Sequence, residues 1–401
     1  MFKQKIIEEH KTFLSIDIWS RFIRAIVCVF RKWKLNILAE EQILQNKSDF
    51  VNWKIINIIW ITNTIGLLLE KILNNFWEIP NDVIVWFNTD LHLYNIVKIK
   101  YKRTDPYSII NNSELDSIIY SHEAKSLKRI EQDKALSMWV IDIDVKLVSS
   151  IITSIKIDSE CVSNPIWFTW HYVELNIMNT FLPMSIYSNI SNIIKRLNLN
   201  PFAILPIVLV YPKLIEENNA FWESNNIFID LWADHVSLSV VKNNETIWFQ
   251  TCNMWLSSLQ KELIKEFNLT PIEAEHAMLD YKIEYRRIID KYISLLINVI
   301  KIALSDIDTE LKINNIFYLS DKNTLLDTFL EKAILEDNYF NNAKFHSKID
   351  LKDFNFYSDN INNKTVNYWI LALSLMIRDV IPERWSSIVN LIRNFFSRYV
   401  G

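Results

Sequence analysis

The chain has 401 residues, 50% of them apolar and 22% charged, and 43 basic against 47 acidic side chains give a net charge of −4. This balance excludes a disordered acidic chain and a nucleic-acid binder that relies on bulk positive charge. The three cysteines (Cys28, Cys161 and Cys252) are far apart and form no CxxC pair. Their spacing excludes a disulfide framework and a thiolate metal site, and it fits a reducing compartment.

Glycine is far rarer here than in an ordinary globular chain. Only 2 glycines stand against 15 tryptophans, whereas glycine usually makes up about 7% of a protein. Turns with positive φ and loops that approach a ligand closely depend on glycine. Many tryptophans lie in polar, turn-like contexts such as Lys32-Trp33-Lys34. We hypothesise that most Trp letters are UGA codons, which some bacteria read as glycine, with Trp60 and Trp139 as candidate genuine tryptophans; the alternative is an aromatic-rich protein.

The first 80 residues predict a β-meander followed by a helix. Alternating β-branched residues predict strands at 13–18, 22–27 and 35–38. The apolar stretch 55–69 predicts a packed helix, because it is too short and too interrupted by polar residues to span a bilayer. Residues 1–11 are polar and mixed in charge, so we expect no secretion signal.

The middle of the chain predicts an inserted subdomain. Strands are expected at 82–86, 92–101 and 146–156, with a charged helix at 113–130 between the last two. No Pro/Ser-rich linker separates the two halves of the chain. We interpret residues 84–166 as an inserted α+β subdomain that packs with its neighbours.

A second meander follows, with predicted strands at 227–231, 236–241 and 246–251. It repeats the pattern of the first: Asp-Leu-Trp-Ala begins at Asp230, 213 residues after Asp-Ile-Trp-Ser begins at Asp17. Ala25 and Leu238 recur at the same offset. The chain is therefore predicted to be internally duplicated.

Helices are predicted after the second meander. They cover 256–267, a segment opened by Thr270-Pro-Ile-Glu273, and 284–304. In the second helix Thr270 is the expected cap, proline suits the first helical position, and Glu273 completes a capping box. A strand is expected at 316–320.

The duplicated Asp motif has a chemical interpretation. Successive backbone N–H groups in the turn after a strand form a concave anion site for phosphates, which requires no side chain at Trp19 and Trp232. Mg²⁺ keeps most of its waters and is held by one or two carboxylates. Asp17 and Asp230, one from each half, are therefore predicted to flank Mg-ATP in a cleft. For either motif alone, the alternative is an aspartate that caps a turn.

Five short motifs follow one another along nearly the whole chain. With Trp read as Gly they are Asp17–Ser20, Val83–Phe87, Asn164–Trp170, Asp230–Asp234 and Thr270–Glu275. Their succession resembles the bacterial division family FtsA among the actin-like ATPases. The resemblance implies an α/β, actin-like (ribonuclease H-like, duplicated) fold of two lobes with a small inserted α+β subdomain. The implied segments are 1–83 for the first part of lobe one, 84–166 for the insertion, 167–225 for the remainder and crossover, 226–380 for lobe two with a reduced fourth subdomain, and 385–401 for a membrane helix.

The resemblance also implies ATP and Mg²⁺ as cofactors, with at most weak Mg-dependent ATPase activity. The implied nucleotide-binding residues are Asp17, Trp19, Ser20, Arg21, Asp230, Trp232, Ala233 and Asp234, and Asp17 and Asp230 are the implied metal carboxylates. The family's adenosine-side Gly-Gly turn is replaced by Asp321-Lys322-Asn323. We therefore leave open whether ATP is bound or hydrolysed.

As partners the resemblance implies FtsZ, further copies of the chain in a filament, and the cytoplasmic membrane, with no nucleic acid. The implied location is cytoplasmic, peripheral on the inner face of the cell membrane at the division site. The C-terminal apolar spacing predicts an amphipathic helix with flanking cations. Its expected membrane-binding residues are Ile388, Leu391, Ile392, Arg393, Phe395, Phe396, Arg398 and Tyr399.

Several alternatives remain open. The C-terminal stripe is also compatible with a final helix packed on the core. The region 281–286 is shorter than in the FtsA family, at the subdomain that carries the FtsZ contact. A pilus-assembly (PilM-like) actin-fold ATPase is the runner-up, although Asn164–Trp170 favours the division family. A sugar or acetate kinase of the same superfold is less favoured, because the insertion and the C-terminal stripe speak against it.

Overall fold

The computed structural model describes residues 12–18, 22–31, 34–45, 49–51, 54–76, 78–87, 93–111, 113–115, 117–122, 144–162, 165, 168–205, 224–231, 236–242, 245–252, 256–279, 283–305, 307, 312–320, 325–340 and 343–346. They belong to two compact units that divide after Ile207. The following statements concern each unit by itself.

The first unit contains eleven strands and two helices among its described elements. They are β1 (Thr12–Ile18), β2 (Phe22–Arg31), β3 (Lys34–Leu44), β4 (Phe50–Val51), β5 (Lys54–Ile55), α1 (Ile58–Asn75), β6 (Asp82–Phe87), β7 (Leu93–Lys102), β8 (Val145–Ile157), β9 (Glu160–Cys161), β10 (Tyr172–Pro183), α2 (Met184–Arg196) and β11 (Asn200–Leu205). Residues 113–115 and 117–122 are also helical.

Five of these strands form one sheet in the order β11-β6-β1-β2-β3. The first three strands of the chain pair antiparallel, and β6 and β11 add to the other side of β1 as parallel strands. The helix α1 packs on β2 and β3 because Ile61, Ile65, Leu68, Leu69 and Ile72 recur at helical spacing and are buried. Its N-cap is Asn57, whose side-chain oxygen accepts a hydrogen bond from the Trp60 backbone N–H at 3.2 Å.

The remaining long strands form a second, antiparallel sheet in the order β7-β10-β8-β9. One face of this sheet is apolar and covers a core that includes Ile99, Ile155 and Val173, against which Leu115 and Ile118 of the helical segment pack. The sheet thus confirms an inserted α+β element between the strands of the first sheet. Its last long strand, β10, lies beyond the predicted 84–166 range, whereas the strand at the start of that range, β6, belongs to the first sheet.

The second unit repeats the strand order of the first sheet. Its elements are β12 (Asn225–Leu231), β13 (Val236–Lys242), β14 (Glu245–Cys252), α3 (Leu256–Phe267), α4 (Pro271–Leu279), α5 (Arg286–Ser305), β15 (Asn315–Ser320), α6 (Leu325–Glu336) and β16 (Lys344–His346). The sheet order is β14-β13-β12-β15-β16, with an antiparallel meander followed by two parallel strands. Apolar side chains on one sheet face form a core with α3, α4, α5 and α6, including Ile229, Leu238, Leu263, Ile293 and Leu330.

The registers confirm the predicted duplication residue by residue. In β1 and β2, Asp17 pairs with Arg24 and Ile18 with Ile23; in β12 and β13, the pairs are Asp230 with Ser237 and Leu231 with Val236. Every pair keeps the 213-residue offset read from the sequence. Four residues separate the last paired positions in both hairpins. The two halves are therefore two copies of one sheet topology.

Backbone positions with positive φ are filled without glycine in the described part of the chain. Asp158 and Ser159 turn the chain between β8 and β9, and Asn198 and Asn268 end α2 and α3. The leucine that follows each asparagine donates its backbone N–H to the carbonyl five residues earlier. The Leu199–Ile194 distance is 3.1 Å and the Leu269–Ile264 distance is 3.2 Å. Asparagine tolerates the left-handed region better than most residues. A low glycine count is therefore less prohibitive for these turns than the composition alone suggested.

The four described tryptophans take no turn conformation. Trp60 lies in α1, Trp86 and Trp248 lie in strands, and none of the four, Trp170 included, has a positive φ. The other eleven lie outside the described residues. Recoding of Trp as Gly therefore stays a hypothesis.

Candidate functional site

Asp17 lies at the carboxyl end of β1, where the sheet meets the first predicted phosphate loop. Its side chain is only 1% exposed. Pairing places Trp86 of β6 on one side of it and Arg24 of β2 on the other. A carboxylate this deeply buried is kept in proteins when a cation balances it, and the Arg24 guanidinium is opposite it across the strands.

Arg24 lies on β2, one strand closer to the edge of the sheet than Asp17. It is 6% exposed and lies over the Phe22 ring at 5.6 Å. On β3, burial raises the pKa of the Glu40 carboxyl to about 7, although the Arg24 guanidinium acts to lower it and Glu41 to raise it. The first sheet therefore holds two buried residues of opposite charge, Asp17 and Arg24, with the half-buried Glu40 on β3.

Sequence reasoning missed Arg24 and Glu40. A signal was available in the duplication, because the 213-residue offset aligns Arg24 with Ser237. A charged residue at a position where the other copy has a small one marks a local difference between the two halves. Arg24 also shares the alternation phase of Ile26 and Cys28, which are fully buried.

Trp86 of β6 is the neighbour of Asp17 on the other side of β1. It is 0% exposed, and its indole Nε1 donates a hydrogen bond to Ser15 Oγ at 2.8 Å. Ser15 is itself buried, so the indole fills the sheet face and satisfies a polar group at the same time.

Asp230 occupies the matching place in the second unit, at the carboxyl end of β12. It is 0% exposed, and its cross-strand neighbour on β13 is Ser237. On the parallel side it pairs with Leu319 of β15. The two aspartates thus share a position in the fold, but one lies opposite a cation and the other opposite a hydroxyl group.

The rest of the predicted nucleotide site lies outside the described residues. This applies to Trp19, Ser20, Arg21, Trp232, Ala233 and Asp234, to the adenosine-side segment 321–323, and to all residues predicted to bind a membrane, Ile388 to Tyr399. Asp17 and Asp230 belong to different units, so their joint action on Mg-ATP stays a prediction. In the described ranges, no three His, Cys, Asp or Glu side chains are grouped as metal ligands.

The described residues of the Asn164–Trp170 motif lie beside Arg103, a buried arginine that follows β7. Arg103 is 4% exposed and donates from Nε and Nη2 to the two carboxylate oxygens of Glu114, both at 2.8 Å. Its Nη1 donates to the Trp170 carbonyl at 3.3 Å, and the Ile110 N–H donates to the Phe168 carbonyl at 2.9 Å. A bidentate arginine of this kind fixes geometry. We infer that the described part of the motif, Pro165 and Phe168–Trp170, is tied to the small subdomain.

The sheet of the second unit carries a polar and aromatic cluster on the face that bears Asp230. Phe228, Phe317 and His346 stack across three strands with ring centroids 4.8 Å apart. Asn315 Nδ2 donates to Asn226 Oδ1 at 2.9 Å, and His346 Nε2 lies 3.1 Å from Asn315 Oδ1. Burial and the Lys344 charge lower the pKa of His346, so the ring is neutral in the cluster. These contacts fix the sheet face rather than present a reactive group.

Two of the cysteines are unsuited to nucleophilic chemistry. Burial raises the pKa of Cys28 to about 12 and that of Cys252 to about 11. Thiolates are the reactive form, so neither thiol is activated.

Within the described ranges, no helix is long and apolar enough to span a membrane.

By sequence, the chain matches no protein-family model and none of the curated proteins. Its structure is similar to that of the PilM-PilN type IV pilus biogenesis complex, with a TM-score of 0.65, 11% identity, and coverage of 92% of this chain and 98% of that one. This likeness shows an actin-like fold. Weaker likenesses include the ethanolamine utilization protein EutJ from Carboxydothermus hydrogenoformans (TM-score 0.45, 8% identity, 84% of each chain) and MreB5 of Spiroplasma citri bound to ADP (TM-score 0.42, 8% identity, 84% of this chain and 92% of that one).

The actin-like fold confirms the predicted architecture of a duplicated α/β protein with an inserted element. At 11% identity it shows the fold alone. The FtsA assignment, the FtsZ partner, the membrane location and the identity of ATP and Mg²⁺ as ligands therefore stay predictions.

Proposed function

We propose that this protein is an actin-like nucleotide-binding assembly factor that recruits a partner at the membrane rather than an enzyme of metabolism. The observation that carries the proposal is the matched pair of buried aspartates, Asp17 and Asp230, at equivalent strand ends of two duplicated sheets. In each half the aspartate precedes a hairpin of the same length. This arrangement favours two phosphate loops that act on one nucleotide.

The donor set fits Mg²⁺ with a nucleotide. Mg²⁺ takes one or two carboxylates and retains several waters, so one aspartate from each half is sufficient. Bound Mg²⁺ would neutralise charge on the phosphates. Arg24, which pairs with Asp17 across β1 and β2, would balance the charge of that carboxylate. The side chains encoded at Trp19 and Trp232 depart from such a site, because backbone N–H groups reach phosphates best where no side chain intervenes.

Mg-ATP binding tests this proposal. We would measure the affinity of a fluorescent ATP analogue for the encoded chain and for a double variant with Trp19→Gly and Trp232→Gly. We expect only the double variant to bind, and expect Asp17→Asn or Asp230→Asn within it to weaken binding at least tenfold. Asp290→Asn is the matched control, because Asp290 is exposed on α5 and pairs with Arg286. Equal binding by all variants would refute the role of the two aspartates.

Among membrane-associated partners we favour a pilus-assembly type over FtsZ. The likeness to the PilM-PilN structure covers 98% of that chain. In addition, α4 ends at Leu279 and α5 begins at Arg286, which leaves little chain where the FtsA resemblance implies the FtsZ-contacting subdomain. The division-type function, a tether of the FtsZ ring, is the second candidate and is favoured by the Asn164–Trp170 motif.

Two binding experiments separate the candidates. Purified chain would be titrated with FtsZ and, separately, with a PilN protein. Preference for PilN supports the pilus-assembly type, and preference for FtsZ overturns it. Liposome pelleting with and without residues 386–401 tests the predicted membrane helix. A loss of pelleting on truncation is expected for either type of tether but not for a soluble sugar or acetate kinase.

A further inference from the structure

The outer face of α1 is apolar and exposed to solvent. While one side of this helix packs on the first sheet, the other presents large apolar side chains. Ile59 is 58% exposed, Trp60 59% and Leu67 54%, and Ile56 just before the helix is 60% exposed. Together with Asn63, these residues are the outer face of α1. A helix that is apolar on all sides is normally buried, and a contiguous exposed apolar patch marks an interaction site.

The outer face is unsuited to a membrane surface. From Ile55 to Leu69 the chain carries no charged side chain, and the first is Glu70. Helices that lie in the membrane interface carry lysines and arginines on their polar side, which meet anionic headgroups. The composition of α1 therefore favours a protein partner.

Gly66 supplies a second, independent observation. It lies in the middle of α1, where glycine is disfavoured relative to alanine. A Cβ added there would meet no atom within 4 Å, so packing inside the chain does not require glycine. The chain has only 2 glycines. A close approach by a neighbouring helix explains why a side chain is omitted at this position.

We propose that the outer face of α1 pairs with the same face of a second copy of the chain, with the two helices antiparallel and centred on Asn63. On a helical wheel, Ile59 and Gly66 lie on one flank of Asn63, and Trp60 and Leu67 lie on the other. Rotation about the two-fold axis places Ile59 of one copy over Gly66 of the other. It also places Trp60 against Leu67. The large Ile59 side chain therefore lies over the open space at Gly66, and the apolar Trp60 contacts the apolar Leu67.

The polar residues of the helix fit the same arrangement. Asn63 faces Asn63 at the two-fold axis, where a buried asparagine pair fixes the register of two helices. Glu70 then lies near the N-terminus of the partner helix, which favours negative charge. No charged residue is buried against an apolar one at the centre. The contact is isologous, so it closes on two copies.

The size of the patch predicts a weak dimer. Its four apolar side chains offer on the order of 100 Å² each, or about 800 Å² over two copies. This lies below the roughly 1,000 Å² expected of a stable interface. The contact involves no residue of the proposed nucleotide site. It goes beyond the proposed function and can be tested without nucleotide.

Sedimentation velocity of the full chain over a range of concentrations, without nucleotide, tests the surface. We expect a concentration-dependent dimer whose dissociation constant rises at least tenfold in Leu67→Glu and in Gly66→Leu. The second variant fills space that is open within the chain, so it should fold as well as the encoded protein, which a thermal melt checks. Ile302→Glu is the matched control, because Ile302 is 68% exposed on α5 of the other unit. A monomer at every concentration overturns the proposal, and so does a dimer whose dissociation constant is unchanged in Leu67→Glu.

Cysteine cross-linking tests the orientation. Asn63→Cys places two thiols at the two-fold axis, so oxidation should give a covalent dimer above the background of the unsubstituted chain. Lys71→Cys is the control: in the antiparallel pair its two copies are 16 residues apart, or about 24 Å along the helices. Efficient cross-linking of both variants would indicate parallel helices and would contradict the proposed pairing. Cross-linking of neither would exclude α1 from the interface.

Discussion

Trp86→Gly separates the two interpretations of the tryptophan-rich sequence at a position where the structure gives a clear expectation. The indole is fully buried between β1 and β11 and donates to Ser15 Oγ at 2.8 Å. If tryptophan is the residue that the protein contains, glycine at this position removes the largest side chain of the first sheet. If the codon is read as glycine, the glycine protein is the native one.

The expected loss of stability can be built from three contributions. Truncation of a buried tryptophan costs about 3–5 kcal/mol through lost burial and the cavity left behind. Glycine in a strand interior adds about 0.5–1 kcal/mol. Ser15, which is 1% exposed, loses its donor, which costs about 1 kcal/mol. The sum, about 4.5–7 kcal/mol, is comparable with the whole stability of many domains.

Urea unfolding followed by circular dichroism measures this effect without relying on tryptophan fluorescence. The control is Trp60→Gly, since Trp60 is mostly exposed on α1 and its replacement should cost only about 1 kcal/mol of helix propensity. A glycine variant at position 86 that is as stable as the encoded chain would refute the reasoning from burial. That result would also support the recoding hypothesis at this codon.

Three further predictions concern single contacts. Thr270→Ala removes the hydroxyl that accepts from the Glu273 N–H at 3.2 Å and leaves the Glu273 carboxylate bound to the Thr270 N–H at 2.7 Å; we expect a loss of about 1 kcal/mol in urea unfolding, with Thr270→Ser near neutral. The folded pKa of Glu40, about 7, lies above its ordinary value of 4.5, so the folded state holds a proton that the unfolded state releases. Stability should therefore fall as pH rises from 4.5 to about 7, and Glu40→Gln should flatten that part of a melting-temperature profile; an unchanged slope would show that Glu40 is not its source. Asn268→Ala should cost about 1 kcal/mol because its φ is 52°, whereas Asn268→Gly should not, and equal losses in thermal melts would contradict the backbone explanation.

Much of the fold was predictable because local patterns and the duplication agree. The strands of the second meander, α3 and α5 have bounds within two residues of those predicted, whereas β3 and α1 each end six residues later than predicted. The capping box at Thr270 forms both of its hydrogen bonds. The equivalent positions of Asp17 and Asp230 at two strand ends were predictable because a repeated motif is visible even when each copy is short, whereas their role in nucleotide binding stays a prediction.

Other elements gave no clear local signal. The strand β10 was missed, although it forms the centre of the inserted sheet, because its sequence mixes asparagines and a methionine with the apolar residues and breaks the alternation. The strand β10 therefore lies beyond the range 84–166 that was predicted for the insertion. Arg24 was missed for a different reason: a single arginine in a strand is usually solvated, and only the pairing of β1 with β2 places it opposite a buried carboxylate.

The asparagines that end α2 and α3 distinguish two uses of glycine, in turns and at phosphate contacts. Helix ends and tight hairpins in this chain work with Asn, Asp and Ser, each with a modest backbone penalty, so a shortage of glycine is tolerable wherever the chain only has to turn. No such substitute exists where main-chain amides must touch a phosphate, because any Cβ keeps the ligand away. The selective pressure to decode UGA as glycine would then concentrate on a few codons, and 19 and 232 are the two at which such decoding would have the largest functional consequence.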